Sequence, residues 1–199
     1  MSASIELAME EALRPGRHIS EHASFSVASE LGSVAARIAE AGPERAAGLY
    51  ETFIAACYEK AGEAGDSSGY PGMFGGSLPA RWVTARQAVS AGPADTVARL
   101  LRWMAKDQYG FWSHAEDDIA PALDEAGRAA CAGHLKRLPG TGTEPVFIQR
   151  QAGKLLRAAC IAQRDAGAYI ALAERSGLTA RDCLAMATIL AAKDDPRRR

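Results

Sequence analysis

The chain has no Cys-x-x-Cys pair, no Gly-x-Gly-x-x-Gly and no Gly-Lys-Ser/Thr step. Its cysteines, Cys57, Cys131, Cys160 and Cys183, are scattered singly among alanines. In that setting a free thiol behaves as a small apolar core group rather than a zinc ligand or redox partner. The missing glycine motifs remove the usual signals of a dinucleotide or P-loop phosphate site. No uninterrupted apolar run approaches the roughly 20 residues needed to span a bilayer. The opening Met1–Glu11 is acidic and short of apolar length for a secretory leader, so a cytoplasmic chain with no membrane association is expected. An excess of one charge is lacking too: 23 Lys+Arg against 24 Asp+Glu leave a net charge of −1. Acidic residues are interspersed with the arginines and only the tail Pro196–Arg199 is strongly basic, and three arginines at a chain end are too few to build affinity on phosphate neutralisation. Nowhere do four or more residues alternate apolar and polar in β-branched company. The one strand candidate, Val146-Phe147-Ile148, is short and follows a proline.

What remains is helix. Alanine, the best helix former, is the commonest residue, and hydrophobic residues make up 48% of the chain. Apolar residues recur at three-and-four spacing along Phe25, Ala28, Leu31, Ala35 and Ile38. A second run carries Ala46, Leu49, Tyr50, Phe53, Ile54 and Cys57 on one side, and a third carries Val97, Leu100, Leu101 and Met104. Two copies of Ala-Gly-Pro, at 41–43 and 91–93, open the second and third of these runs. Proline suits a first helical position because its missing N–H would be unpaired there anyway. Superposing the two tripeptides aligns Ala47 with Val97, Tyr50 with Leu100 and Ile54 with Met104, apolar on apolar each time. Such repetition points to stacked helix pairs, an architecture used for holding partners more often than for chemistry.

The expected fold is therefore all-α: stacked helical hairpins, as a HEAT- or TPR-like α-solenoid or an irregular helical bundle, with about eight or nine helices. Residues 1–138 read as an N-terminal helical-repeat region, 139–144 as a linker, 145–193 as C-terminal helical pairs on the same array, and 194–199 as a basic disordered tail. Thr179 and Asp182 stand three apart, as an N-cap and its acidic N3 partner would. The last helix, about 180–193, is expected to bury Leu184, Ala187 and Leu190 or Ala191. Residues 62–79 break the helical rhythm with a glycine-rich run, 65–76. There Tyr70, Met73 and Phe74 either tuck onto the helices, the favoured reading, or meet a partner.

One segment has the residue types for chemistry. Tyr109-Gly110-Phe111-Trp112-Ser113-His114 runs into Glu116, Asp117 and Asp118. On a helix His114 and Asp117 or Asp118 share a face, which suits a divalent metal or an acid–base pair. The competing reading, which carries more weight, has Tyr109, Phe111 and Trp112 filling the gap between helix pairs. The three carboxylates would then sit favourably at the N-terminus of a short helix. His18 and His22 are four apart, but Pro15-Gly16 and a cap at Ser20 put His18 ahead of the helix. His134, beside Lys136 and Arg137, suits the last turn of a helix. No cofactor or metal is expected.

Several stretches resemble a bacterial helical-repeat family known mainly as a domain of unknown function. These are Lys106-Asp107-Gln108-Tyr109-Gly110, Ile119-Ala120-Pro121-Ala122-Leu123 and Asp124-Glu125-Ala126-Gly127, with Leu13-Arg14-Pro15-Gly16, Asp66-Ser67-Ser68-Gly69, Asp165-Ala166-Gly167-Ala168-Tyr169-Ile170 and Leu178-Thr179-Ala180-Arg181-Asp182. Members look like HEAT- or TPR-type arrays, and related arrays occur in proteins with SWIM zinc fingers. The resemblance spans nearly the whole chain, but its motifs are turn and packing signals and none is catalytic. The Cys and His cluster of a SWIM finger is missing, so zinc is not implied. The resulting expectation is a non-enzymatic scaffold or adaptor that binds a protein partner. Its candidate contacts are Tyr70, Met73, Phe74, Tyr109, Phe111, Trp112, His114, Asp117 and Asp118, and it would have an option of self-association through the last helix. The rival readings are a metal-assisted enzyme using His114, Asp117 and Asp118, and a nucleic-acid-associated subunit.

Overall fold

Capping residues and apolar spacing decide where each helix begins and which side turns inward. The computed structural model describes residues 4–14, 21–63, 77–108, 110–112, 114–136, 143–175 and 178–193. Among them lie ten α-helices and one 3₁₀ turn, slightly more than the eight or nine expected, and no strand. They are α1 (Ile5–Ala12), α2 (Glu21–Ala39), α3 (Pro43–Glu63), α4 (Ser77–Ala88), α5 (Pro93–Ala105) and α6 (Ala115–Ile119). After the 3₁₀ turn Ala120–Ala122 come α7 (Glu125–Lys136), α8 (Thr143–Gln163), α9 (Ala166–Glu174) and α10 (Ala180–Lys193). The Val146-Phe147-Ile148 run belongs to α8. No described helix is long and apolar enough to cross a membrane. The residues 64–76, 137–142 and 194–199, on which the glycine-rich loop, most of the expected linker and the basic tail fall, lie outside the described residues.

Neighbours in sequence are mostly neighbours in space. α1 packs on α2, α2 on α3 and α3 on α4. From α5 onward the chain wraps around α8, which touches α5, α6, the 3₁₀ turn, α7 and α9, while α10 packs on α9. One core runs from Met9 in α1 to Leu156 in α8. It takes in Leu31, Ala35 and Ile38 of the first expected stripe, Tyr50, Phe53, Ile54 and Cys57 of the second, and Val97, Leu100, Leu101 and Met104 of the third. Period-3.6 spacing named these faces correctly because each helix has a single apolar side. Tyr50 adds a directional bond: its hydroxyl donates to the Ala35 carbonyl at 2.8 Å, fixing α3 against α2.

The two Ala-Gly-Pro segments start α3 and α5 alike, each with proline at the first position. The aligned residues Ala47 and Val97, Tyr50 and Leu100, and Ile54 and Met104 are all buried. The turns before them differ, however. Gly42 takes the left-handed region at φ 83°, whereas Gly92 sits at φ −54° and Ser90 supplies the left-handed step at φ 53°. Identical tripeptides thus deliver equivalent helices through different turns.

The last helix departs from expectation. It buries Ile189 and Asp182, with Ala185 and Met186 partly covered, and turns Leu184, Ala187, Leu190 and Ala191 to the surface. Cys183, expected in a core, is exposed as well. A helix that is apolar on more than one side has no unique face to bury, so something else must set its rotation. That something is Asp182, described next.

Candidate functional site

Four chemistry-bearing clusters stand out. The first is the segment between α5 and α6 that the sequence singled out. The Asp107 carboxylate accepts from the Phe111 N–H at 3.1 Å and the Trp112 N–H at 2.8 Å, which folds the chain back on itself. Both rings are thereby driven inward, so Phe111 and Trp112 are core residues, as in the gap-filling reading, and are not on the surface as candidate contacts. Trp112 stacks on Trp103, with centroids 5.8 Å apart and planes 18° apart, and Trp103 lies 4.7 Å from Trp82. Phe111 meets Trp112 and Tyr58 edge-on at 5.4 and 6.0 Å. Tyr58 closes the cluster: its hydroxyl donates to the Lys106 carbonyl and accepts from the Gln108 N–H, each at 3.0 Å. Five rings thus weld α3, α4 and α5 to the following loop, in the offset and edge-on arrangements aromatic pairs prefer.

His114 follows in the left-handed region at φ 63° and is exposed, as are Asp117 and Asp118. The Asp117 N–H donates to the His114 carbonyl at 3.2 Å, so these residues form the first turn of α6 on an open surface. Among the described residues no group of three or more His, Cys, Asp or Glu is placed to hold a metal ion. Tyr70, Met73, Phe74, Tyr109 and His18 lie outside the described residues, and the side chain of His22 does too.

The second cluster was not read from the sequence. The Glu51 carboxylate in α3 accepts from the Trp82 indole N–H at 3.2 Å and from Arg99 at 3.1 Å, with Arg86 at 3.5 Å. Arg86 in turn reaches Asp95 at 2.6 Å and the Thr96 hydroxyl at 3.1 Å, and its guanidinium lies 5.5 Å from the centre of the Trp82 ring. Only the Asp95–Arg99 spacing of four was visible in the chain, and that pair forms at 3.2 Å. The partners of Glu51 come from two other helices, α4 and α5, a convergence that no local pattern encodes.

The third cluster is the α9–α10 hairpin. Asp182 is 3% exposed. Its Oδ2 accepts from the Thr179 N–H at 2.9 Å and the Thr179 hydroxyl at 2.6 Å, and its Oδ1 from the Tyr169 hydroxyl at 3.0 Å. Arg157 of α8 approaches the same oxygen at 4.0 Å. These hydrogen bonds, with Thr179 the larger influence, hold the Asp182 carboxyl below its ordinary value. Burial, and then the bond to Asp182, push the Tyr169 phenol up. The cap read from Thr179 and Asp182 is present, and its acid also reaches across to α9 and toward α8. That crossing rotates α10 so that Ile189 joins Cys160, Tyr169 and Ala173 in a small core of their own.

The rotation leaves the opposite side of α10 bare. Ala180, Cys183, Leu184, Ala187, Leu190 and Ala191 are all exposed, Leu184 by 69% and Leu190 by 53%. At 100° per residue these six fall within an arc of about 120°, centred opposite the buried residues. Leu178, just before the helix, is exposed as well. The fourth cluster is a groove between the end of α7, α8 and α9, lined by Leu135, Val146 and Leu172 with Arg150, Lys154, Arg157 and Arg175.

Comparison with known proteins finds no matching family model, no matching curated protein and no matching solved structure.

Proposed function

We propose that the chain is a non-enzymatic helical scaffold that holds another protein chain, with the outer side of α10 as a contact face. The observation that carries this reading is that α10 is apolar on both sides. One side closes on α9, and the other presents two leucines, three alanines and a cysteine to solvent. A helix apolar all round is normally an internal helix, and arrays of stacked helices need a polar outer face where stacking ends. Covering Leu184 and Leu190 would regain about 1–2 kcal/mol apiece. A stripe of this length, about 16 Å, is smaller than a standard interface, so the contact belongs to the weak, exchangeable class. A second copy of the chain can supply the same stripe antiparallel to itself, which makes self-association the first form to test.

Sedimentation at tens of micromolar provides the test. The wild-type chain is expected to show an apparent mass above its 21.0 kDa, returning to that value in Leu184→Glu/Leu190→Glu. Both side chains are exposed, so the double variant keeps its helix content. A folded wild-type chain that sediments as a monomer identical to the variant would overturn the proposal.

A further inference from the structure

The groove on α8 carries a chemistry of its own. Its volume is about 610 Å³ and its floor is aliphatic, made by Leu135, Val146 and Leu172. Arg150, Lys154 and Arg157 stand four and three apart along α8, on one face over a rise of about 10 Å. Arg175, at the end of α9, completes the rim, and among the described residues no acidic residue lines the groove. Three arginines elsewhere are paired with acids: Arg45 meets Glu6, Arg86 meets Glu51 and Asp95, and Arg99 meets the same two acids. At the rim Arg157 has a carboxylate near, Asp182 at 4.0 Å. Arg150 lies instead over the Phe147 ring, 5.9 Å from its centre. Among the described residues no ion pair engages Arg150, Lys154 or Arg175. Like charges four apart on a helix repel, so the arrangement costs local stability. In a chain of net charge −1 it is a local excess of one sign over an apolar trough.

We infer that this groove binds an acidic amphipathic helix, a segment whose apolar stripe enters the trough while its Asp and Glu residues meet the rim. Helix-in-groove recognition needs an apolar channel between helices with charge along its edges, and both are present. The cations are spread too far for one small anion. The lining holds no flat ring on which a base would stack, and a net negative chain does not attract a polyanion at long range. A short acidic peptide needs only the field within about 8–10 Å of the rim at physiological salt. The inference gives the scaffold reading a partner chemistry and rests on it only in taking the partner to be a protein.

The test is fluorescence anisotropy with a labelled helix-forming peptide of roughly 14 residues, Leu on one stripe and Glu along its flanks. Two variants read the two halves of the groove. Arg150→Glu/Lys154→Glu reverses exposed rim charge. Gly153→Leu fills the trough with all four cations kept, since a Cβ at Gly153 meets only Leu135 Cδ2, at an ordinary 3.7 Å. Saturable binding at about 150 mM salt is expected, weakened about tenfold or more by each variant, and absent for the peptide with Lys in place of Glu. A missing saturable signal, equal affinity for wild type and both variants, or preferential binding of a single-stranded oligonucleotide would each overturn the inference. Leu184→Glu/Leu190→Glu should leave peptide binding intact, so failure at the groove and failure at α10 are separately visible.

Discussion

Replacing Asp182 should loosen one end of the molecule and leave the rest standing. In Asp182→Ala the Thr179 N–H and hydroxyl lose their acceptor, but Thr179 is exposed and water takes over. Tyr169 has no such escape: it is 3% exposed and its hydroxyl donates only into this cluster. A buried donor left unpaired costs about 1–3 kcal/mol, and the lost cap adds about 1, for a total of about 2–4 kcal/mol. The cost should fall locally, because α10 rests on α9 around a small core of Cys160, Tyr169, Ala173 and Ile189 that is separate from the main one. Hydrogen exchange followed by mass spectrometry should therefore show faster exchange over 166–193, with α3, α5 and α8 protected as in wild type. The pH dependence has a definite sign. A carboxyl held below its ordinary value of about 3.8 contributes stability that is complete above that value. The contribution is lost as pH falls through the lower folded value. Protection of 166–193 in wild type should accordingly fall as pH drops below about 3.8, and Asp182→Ala should lack that step. Unchanged exchange in the variant, or loss spread evenly over all helices, would refute the reasoning.

Two glycine substitutions should move stability in opposite directions. A Cβ at Gly48, inside α3, meets nothing within 4 Å, so Gly48→Ala should stabilise by about 0.8–1 kcal/mol and raise Tm by about 2–4 °C. A Cβ at Gly127 meets Asp124 Oδ1 and Leu123 Cδ2, each at 3.1 Å, where the Asp124 carboxylate already caps α7 through the Gly127 N–H at 2.7 Å. Gly127→Ala should lose that gain and lower Tm. Thiol titration of the native chain should consume about one equivalent, because Cys183 alone is exposed while Cys57 and Cys131 are buried with thiols pushed up to about 12. Truncating Leu155, fully buried in α8 at the centre of the main core, should cost about 2–5 kcal/mol in urea unfolding.

The all-α class, the starts of α3, α5 and α10 and the inward faces of α2, α3 and α5 were legible in the chain. Those follow from spacing and end signals within a dozen residues, such as Pro43, Pro93 and the Thr179–Asp182 cap. It also held the competing explanation of Phe111 and Trp112 as gap fillers, and the Asp107 carboxylate settles their burial. The rest depends on contacts between helices distant in sequence or across a turn. Glu51 gathers Trp82, Arg86 and Arg99 from two other helices, α4 and α5, and Tyr169 reaches Asp182 across a turn. The four rim cations meet over Leu135 and Leu172 because α7, α8 and α9 converge there. Helical periodicity tells which residues share a side of one helix. When a helix such as α10 is apolar on two sides, only a polar bond to a neighbour says which side is covered and which is left exposed.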